Sequence, residues 1–233
     1  DIFQRFVDWY NRHPADVGNQ LSYVLSSVKA GRPRDEIVHG LAGRQGNGSV
    51  MRCYPVALKF SDSLSRCLAA SVQQSAITHP DPLCCAACAF VNAVIWHALH
   101  GAAAADAVGR ALECVELPDN LRRTVEQAAS RPANQLPNSG WALHAVESAV
   151  WGLLTTGSFA ECVIQVANLG NDADTSACIA GAMAGAVYGL DAIPRDWREA
   201  LRGYWPIHSD HLWRAEDFLA LADALVGTGA DSA

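Results

Sequence analysis

No window of this 233-residue chain gathers Lys and Arg into a stripe: 17 basic residues are spread against 24 acidic ones, for a formal charge of -7. A protein that grips a phosphate backbone needs such a stripe, so nucleic acid is not an expected partner. The opening residues Asp1 to Val7 mix charges with aromatics instead of giving a basic stretch and then an apolar one, which argues against a signal peptide. The uncharged run from Ser176 to Leu190 falls short of the about 20 apolar residues that a bilayer crossing takes, so no membrane partner is expected. No Asn-Gly or Asp-Gly turn joins two alternating runs, and there is no Gly-x-Ser-x-Gly elbow, Walker loop or dinucleotide fingerprint. Position 1 is Asp and the first methionine is Met51, so an N-terminally incomplete chain is expected.

What is present is apolar and helical. A hydrophobic content of 50% is ample for one large core. Eight cysteines, at 53, 67, 84, 85, 88, 114, 162 and 178, stand mostly in Ala-rich windows where a thiol behaves as a small hydrophobe. That usage suits a reducing, cytoplasmic location. Cys84, Cys85 and Cys88 read as core, because no second Cys/His pair stands at zinc-finger spacing. Periodicity predicts helices over 1–12, 17–29, 34–41, 50–59, 61–77, 82–100, 104–115, 119–129, 141–155, 158–168, 174–189, 195–203 and 211–226. With no solenoid repeat and no long linker, the expectation is an all-α, compact multi-helix bundle forming a single domain over 1–233. Gly181, Gly185 and Gly189, spaced by four, predict a central helix packed tightly along a glycine stripe.

Three stretches carry possible chemistry. In Gly-Asn-Asp-Ala-Asp-Thr, residues 170–175, the oxygens of Asp172, Asp174 and Thr175 precede the uncharged run. These are hard ligands of the kind Mg²⁺, Mn²⁺ or Ca²⁺ prefers, and at a helix start two such carboxylates can converge. The residues alone leave a cation site and a plain N-cap both open. Gly46, Asn47, Gly48 and Ser49 form a tight turn before a predicted helix, where first-turn amides can bind an anion such as phosphate; an ordinary turn has the same composition. Arg52 follows as a possible phosphate contact, against a neighbouring acid or solvent. His79 sits in the Pro-bounded loop Thr-His-Pro-Asp-Pro, residues 78–82, where it faces a ligand or serves as a hydrogen-bonded bystander.

Taken in order, these pieces resemble the ADP-ribosylglycohydrolase family. Residues 46–58 look like its Gly-Asn-Gly-(Ser/Ala)-x-Met-Arg segment, 78–80 like its Thr-His-Pro loop, and 141–197 like its C-terminal signature, with Asp172-x-Asp174-Thr175 at the Asp-x-Asp-Thr position. The resemblance implies an all-helical hydrolase that uses two divalent cations, Mg²⁺ or Mn²⁺, to cut the bond between ADP-ribose and a protein side chain or small adduct. It implies metal ligation by Asp172, Asp174 and Thr175, and ADP-ribose contacts by Gly46, Asn47, Gly48, Ser49, Met51 and His79. The group that carries out catalysis is left unassigned. Two departures accompany the likeness. The family's Thr-Asp-Asp-Thr motif has no counterpart in these 233 residues, and Asn171 and Ala173 stand where a Gly and a Thr are usual. A binding or regulatory pseudoenzyme with half a metal site is therefore the alternative to an active hydrolase.

Overall fold

The computed structural model describes residues 1–227. Thirteen α-helices account for most of them: α1 Ile2–Tyr10, α2 Asn19–Lys29, α3 Arg34–His39, α4 Pro55–Lys59, α5 Leu64–Ala76, α6 Pro82–Leu99, α7 Ala104–Cys114, α8 Asp119–Gln127, α9 Ala142–Thr155, α10 Phe159–Ala167, α11 Ala173–Tyr188, α12 Arg195–Ala200 and α13 Ala215–Gly227. The all-α expectation holds.

The core is built around α6. Pro82 opens it at a position where a missing N–H costs nothing, and the Asp81 carboxylate accepts the Leu83 amide at 3.0 Å. Its apolar residues run all round the helix, as befits an element enclosed by others. Although α6 is apolar enough by composition to cross a membrane, 72% of it is buried inside the fold. Helices α5, α7, α9 and α11 pack on it, and α10 packs on α9 and α11. Burial of a large side chain such as Phe90 contributes about 1.5–3 kcal/mol. A separate small cluster, Val24, Ile37 and Leu41, joins α2 and α3 near the N-terminus.

Three expectations need correction. The helix predicted over 50–59 is two pieces, a 3₁₀ segment over Asn47–Arg52 and the short α4, because Pro55 lacks the amide to continue a single helix. The predicted helix over 195–203 stops at Ala200, and the one over 211–226 starts only at Ala215. Between them lies an antiparallel pair, β1 Arg202–Tyr204 and β2 Leu212–Arg214, in which Gly203 faces Trp213. Three-residue strands are too short to show alternation, and the residues joining them carry no hairpin signature.

The glycine stripe on α11 is the third. A Cβ on Gly181 or Gly185 would meet its nearest neighbour at 3.6 or 3.8 Å, an ordinary contact, while Gly189 ends the helix at φ 79°. The close approach lies on α9 instead: a Cβ on Gly152 would overlap Val166 Cγ2 on α10 and stand 3.4 Å from Cys162 Sγ. All eight cysteines are free, with Cys84 and Cys88 fully buried, in keeping with the packing role expected of them.

Candidate functional site

Four stretches far apart in sequence are joined by hydrogen bonds and close contacts. The glycine-rich segment comes first. Gly46 pairs with Trp141 in an isolated antiparallel bridge, Asn47 N donates to Gly140 O at 3.0 Å, and Ala142 N donates to Gln45 O at 2.9 Å. The Trp141 indole N–H adds a bond to Gln45 Oε1 at 2.9 Å. The loop before α9 therefore holds Gln45 to Asn47 as a neighbouring strand would. Gly48 lets the backbone approach an imidazole, since a Cβ there would lie 3.0 Å from His79 Nε2.

The acidic turn comes second. Gly170 and Asn171 both take left-handed conformations, φ 73° and 52°, a region open to Gly and tolerated by Asn. The chain so reversed enters α11 with Asp172 at its N-cap. Asp172 does not cap with its side chain; Oδ2 instead accepts Asn47 Nδ2 at 2.5 Å, across 125 positions of sequence. Asp172 is half-buried, Asp174 exposed and Thr175 buried, with the Thr175 hydroxyl 3.8 Å from Met51 Sδ. One turn along α11, Cys178 Sγ contacts Met51 O at 3.5 Å.

His79 lies against Gly46 and Gly48. It is 2% exposed, and its Nδ1 shares a 2.8 Å hydrogen bond with Thr78 Oγ1, which also accepts Arg52 Nη2 at 2.7 Å. Burial, and then the neighbouring Arg52 charge, push the imidazole down to about 3, so the ring is neutral at physiological pH. Arg52 stacks on Phe6 at 4.4 Å and is lowered by burial to about 10; its Nε and Nη1 are buried with no partner among the described residues.

The depressed His79 has a consequence for stability. The unfolded chain takes up this proton near 6.5 and the folded one only near 3, so between those values the unfolded state holds the extra proton. Stability then falls as pH falls through this window, by about 1.4 kcal/mol per pH unit. Urea unfolding between about pH 7 and pH 4 is expected to show this slope, and His79→Gln to flatten it. Equal slopes in the two proteins would mean that the folded ring takes up its proton normally.

Comparison with known proteins bears on what such a site is for. The profile of the ADP-ribosylglycohydrolase family matches residues 1–232. The chain belongs to this family. Among its relatives are the ADP-ribosylarginine hydrolase Tri1 of Serratia proteamaculans, 27% identical over 85% of this chain and 56% of that protein, and the ADP-ribosyl-[dinitrogen reductase] glycohydrolase of Rhodospirillum rubrum, 30% identical over 86% and 65%. The chain thus spans between about half and two thirds of these curated relatives. A solved structure, an ADP-ribosylglycohydrolase-related protein complex, superposes with a TM-score of 0.78 at 27% identity, covering 97% of this chain and 73% of that one.

Within this ADP-ribosylglycohydrolase fold, the residues singled out from sequence separate into two groups. Asp172, Asn47, Gly46, Gly48 and His79 are linked by the contacts above, and Met51 lies against Thr175 and Cys178, itself 40% exposed. Ser49 lies apart from them. It is fully buried, accepts the Ser75 hydroxyl at 2.8 Å, and its carbonyl accepts Gln74 Nε2 at 3.3 Å. Nor is the Asn47 amide free for an anion, since Gly140 takes it. The sequence reading singled out none of Gln45, Asn138 and Gly140.

The donor chemistry suits a hard divalent cation. Asp172 and Asp174 offer carboxylates and Thr175 a hydroxyl within one helical turn, and the side chain at the N-cap is not spent on capping. The set is small: among the described residues no group of three or more His, Cys, Asp and Glu gathers around a common point. An ion held here would take its remaining positions from water or ligand.

Proposed function

We propose that this chain binds ADP-ribose linked to a protein side chain or small adduct and hydrolyses the ADP-ribosyl bond with the help of Mg²⁺ or Mn²⁺. The observation that carries the reading is the Asp172 to Asn47 hydrogen bond, which joins the acidic turn to the glycine-rich turn beside a neutral His79. This contact supports a reading in which the acidic turn and the glycine-rich turn serve one substrate that carries both a ribose diol and a pyrophosphate.

Each residue has a definite task. Asp172, Asp174 and Thr175 would hold the ion, whose charge when bound orients the ribose hydroxyls and makes a nearby water more acidic. Gly48 lets the main chain lie against the imidazole of His79, which, being neutral, offers hydrogen bonding without a second positive charge. Asn47 fixes the Asp172 carboxylate beside the glycine-rich turn. Cleavage at the anomeric carbon passes through an oxocarbenium-like state. Eight free thiols support a reducing, cytoplasmic setting.

A second reading, a protein that binds ADP-ribose without cleaving it, is favoured by the small donor set. Calorimetric titration of MnCl₂ into the wild type and Asp174→Ala tests the metal proposal. Wild type is expected to bind, and the variant to bind at least about tenfold more weakly. Identical heats would remove the ion from the site. Release of ADP-ribose from an ADP-ribosylated arginine peptide then separates the hydrolase from the binder.

A further inference from the structure

The acidic turn is held on both flanks by a single buried amide. Asn138 is 1% exposed, and its Nδ2 donates to Gly170 O at 2.6 Å. On the other side of the head group, Oδ1 accepts the hydroxyl of Ser176, itself fully buried. Gly170 precedes Asp172 and Ser176 follows Thr175, so the two bonds bracket the three proposed cation donors. The orientation of the amide is dictated by chemistry: a carbonyl only accepts, so the NH₂ must face Gly170 and the oxygen is left for Ser176. Two residues further along the same loop, Gly140 O receives the Asn47 amide, and a Cβ on Gly140 would lie 3.8 Å from Asp172 Oδ2.

We propose that Asn138 is a positioning residue of this site, which sets the acidic turn in register with the glycine-rich turn without touching substrate or cation itself. The proposal rests on the cation-dependent reading above. Its basis is that one buried amide supplies both the donor for the Gly170 carbonyl and the acceptor for the Ser176 hydroxyl. Asp has the shape but no donor for the Gly170 carbonyl, and would set a third carboxylate beside Asp172. Ser is too short to reach both, and Gln too long for a fully enclosed site. The left-handed residues Gly170 and Asn171 fall within the stretch that these two bonds hold.

The test compares Mn²⁺ affinity with thermal stability in wild type, Asn138→Ala, Asn138→Asp, Ser176→Ala and Asp172→Ala, using MnCl₂ titration calorimetry and scanning calorimetry without metal. Asn138→Ala is expected to weaken Mn²⁺ binding by about tenfold at a temperature where the variant is fully folded, with Ser176→Ala weakened less. Asn138→Asp is expected not to restore wild-type affinity despite its shape. If Asn138→Ala does not fold, Ser176→Ala, which removes one arm of the clip, carries the test alone with an expected loss of about threefold. Affinity unchanged in folded variants, while Asp172→Ala loses binding, would overturn the positioning role and leave the cation reading standing. Binding absent from wild type, or equal in wild type and Asp172→Ala, would overturn both.

Discussion

Replacing Asp172 by alanine is expected to lower the affinity for ADP-ribose in the presence of Mn²⁺ by at least about 100-fold, since a carboxylate facing a divalent ion is worth several kcal/mol and each 1.4 kcal/mol is a factor of ten. Two losses combine. The proposed cation set drops to one carboxylate and one hydroxyl, and Asn47 Nδ2 is left without the acceptor that fixes its side chain. Asp172→Asn divides them, because it keeps an oxygen at the same place while removing the charge. It is expected to bind more weakly than wild type and more tightly than alanine. Neither variant should unfold the protein: Asp172 is half-buried, caps nothing with its side chain and belongs to no ion pair among the described residues. Fluorescence titration with an etheno-ADP-ribose probe, beside a melting curve for each variant, reads both quantities. Wild-type affinity in Asp172→Ala would remove the acidic turn from the binding site.

The largest effect on stability is expected at Gly152, far from that turn. In an ordinary helix position Gly→Ala gains about 1 kcal/mol. Here the added methyl would overlap Val166 Cγ2 and press on Cys162, both in the wall of α10, so the overpacking cost of about 1–3 kcal/mol outweighs the helix gain. Gly152→Ala is expected to be destabilising by about 1 kcal/mol and Gly152→Val by 3 kcal/mol or more, the latter a fall in Tm of roughly 6–12 °C for a domain of this size. The cause can be isolated by a double-mutant cycle. Val166→Ala alone opens a cavity, whereas combined with Gly152→Ala the new methyl occupies the vacated space, and the pair should be less harmful than the sum of its parts. Additive losses would place the strain elsewhere than the α9–α10 contact.

The helical periods of α5 to α11 are plain in the sequence because each long helix carries apolar residues at intervals that nothing else explains, although the start read at 61 lies three residues before Leu64, where the Ser63 cap begins α5. The breaks at Pro55 and between Ala200 and Ala215 were harder to read, since a 3₁₀ turn and two three-residue strands are too short for any period to build up. At the site, the acidic and glycine-rich turns stand out through unusual composition. What composition does not reveal is direction. Ser49 carries the same letters as a ligand-facing residue, yet the 3₁₀ turn rotates it into the core toward Ser75. Asn138 was illegible for a related reason: its importance lies in having two partners, at 170 and 176, and neither spacing nor residue type announces that meeting.

The bridge between Gly46 and Trp141 also bears on how the molecule comes into being. Synthesis delivers residues from the front, and the early turn at 46–48 leaves the ribosome long before its supports at 138–142 and its counterpart at 170–176. Until 138–142 has emerged, Gln45 to Asn47 lack their bridge, and until 170–176 has emerged, the Asn47 side chain lacks its carboxylate acceptor. The hydrogen bond that joins the glycine-rich turn to the acidic turn can therefore form only after translation has passed the start of α11.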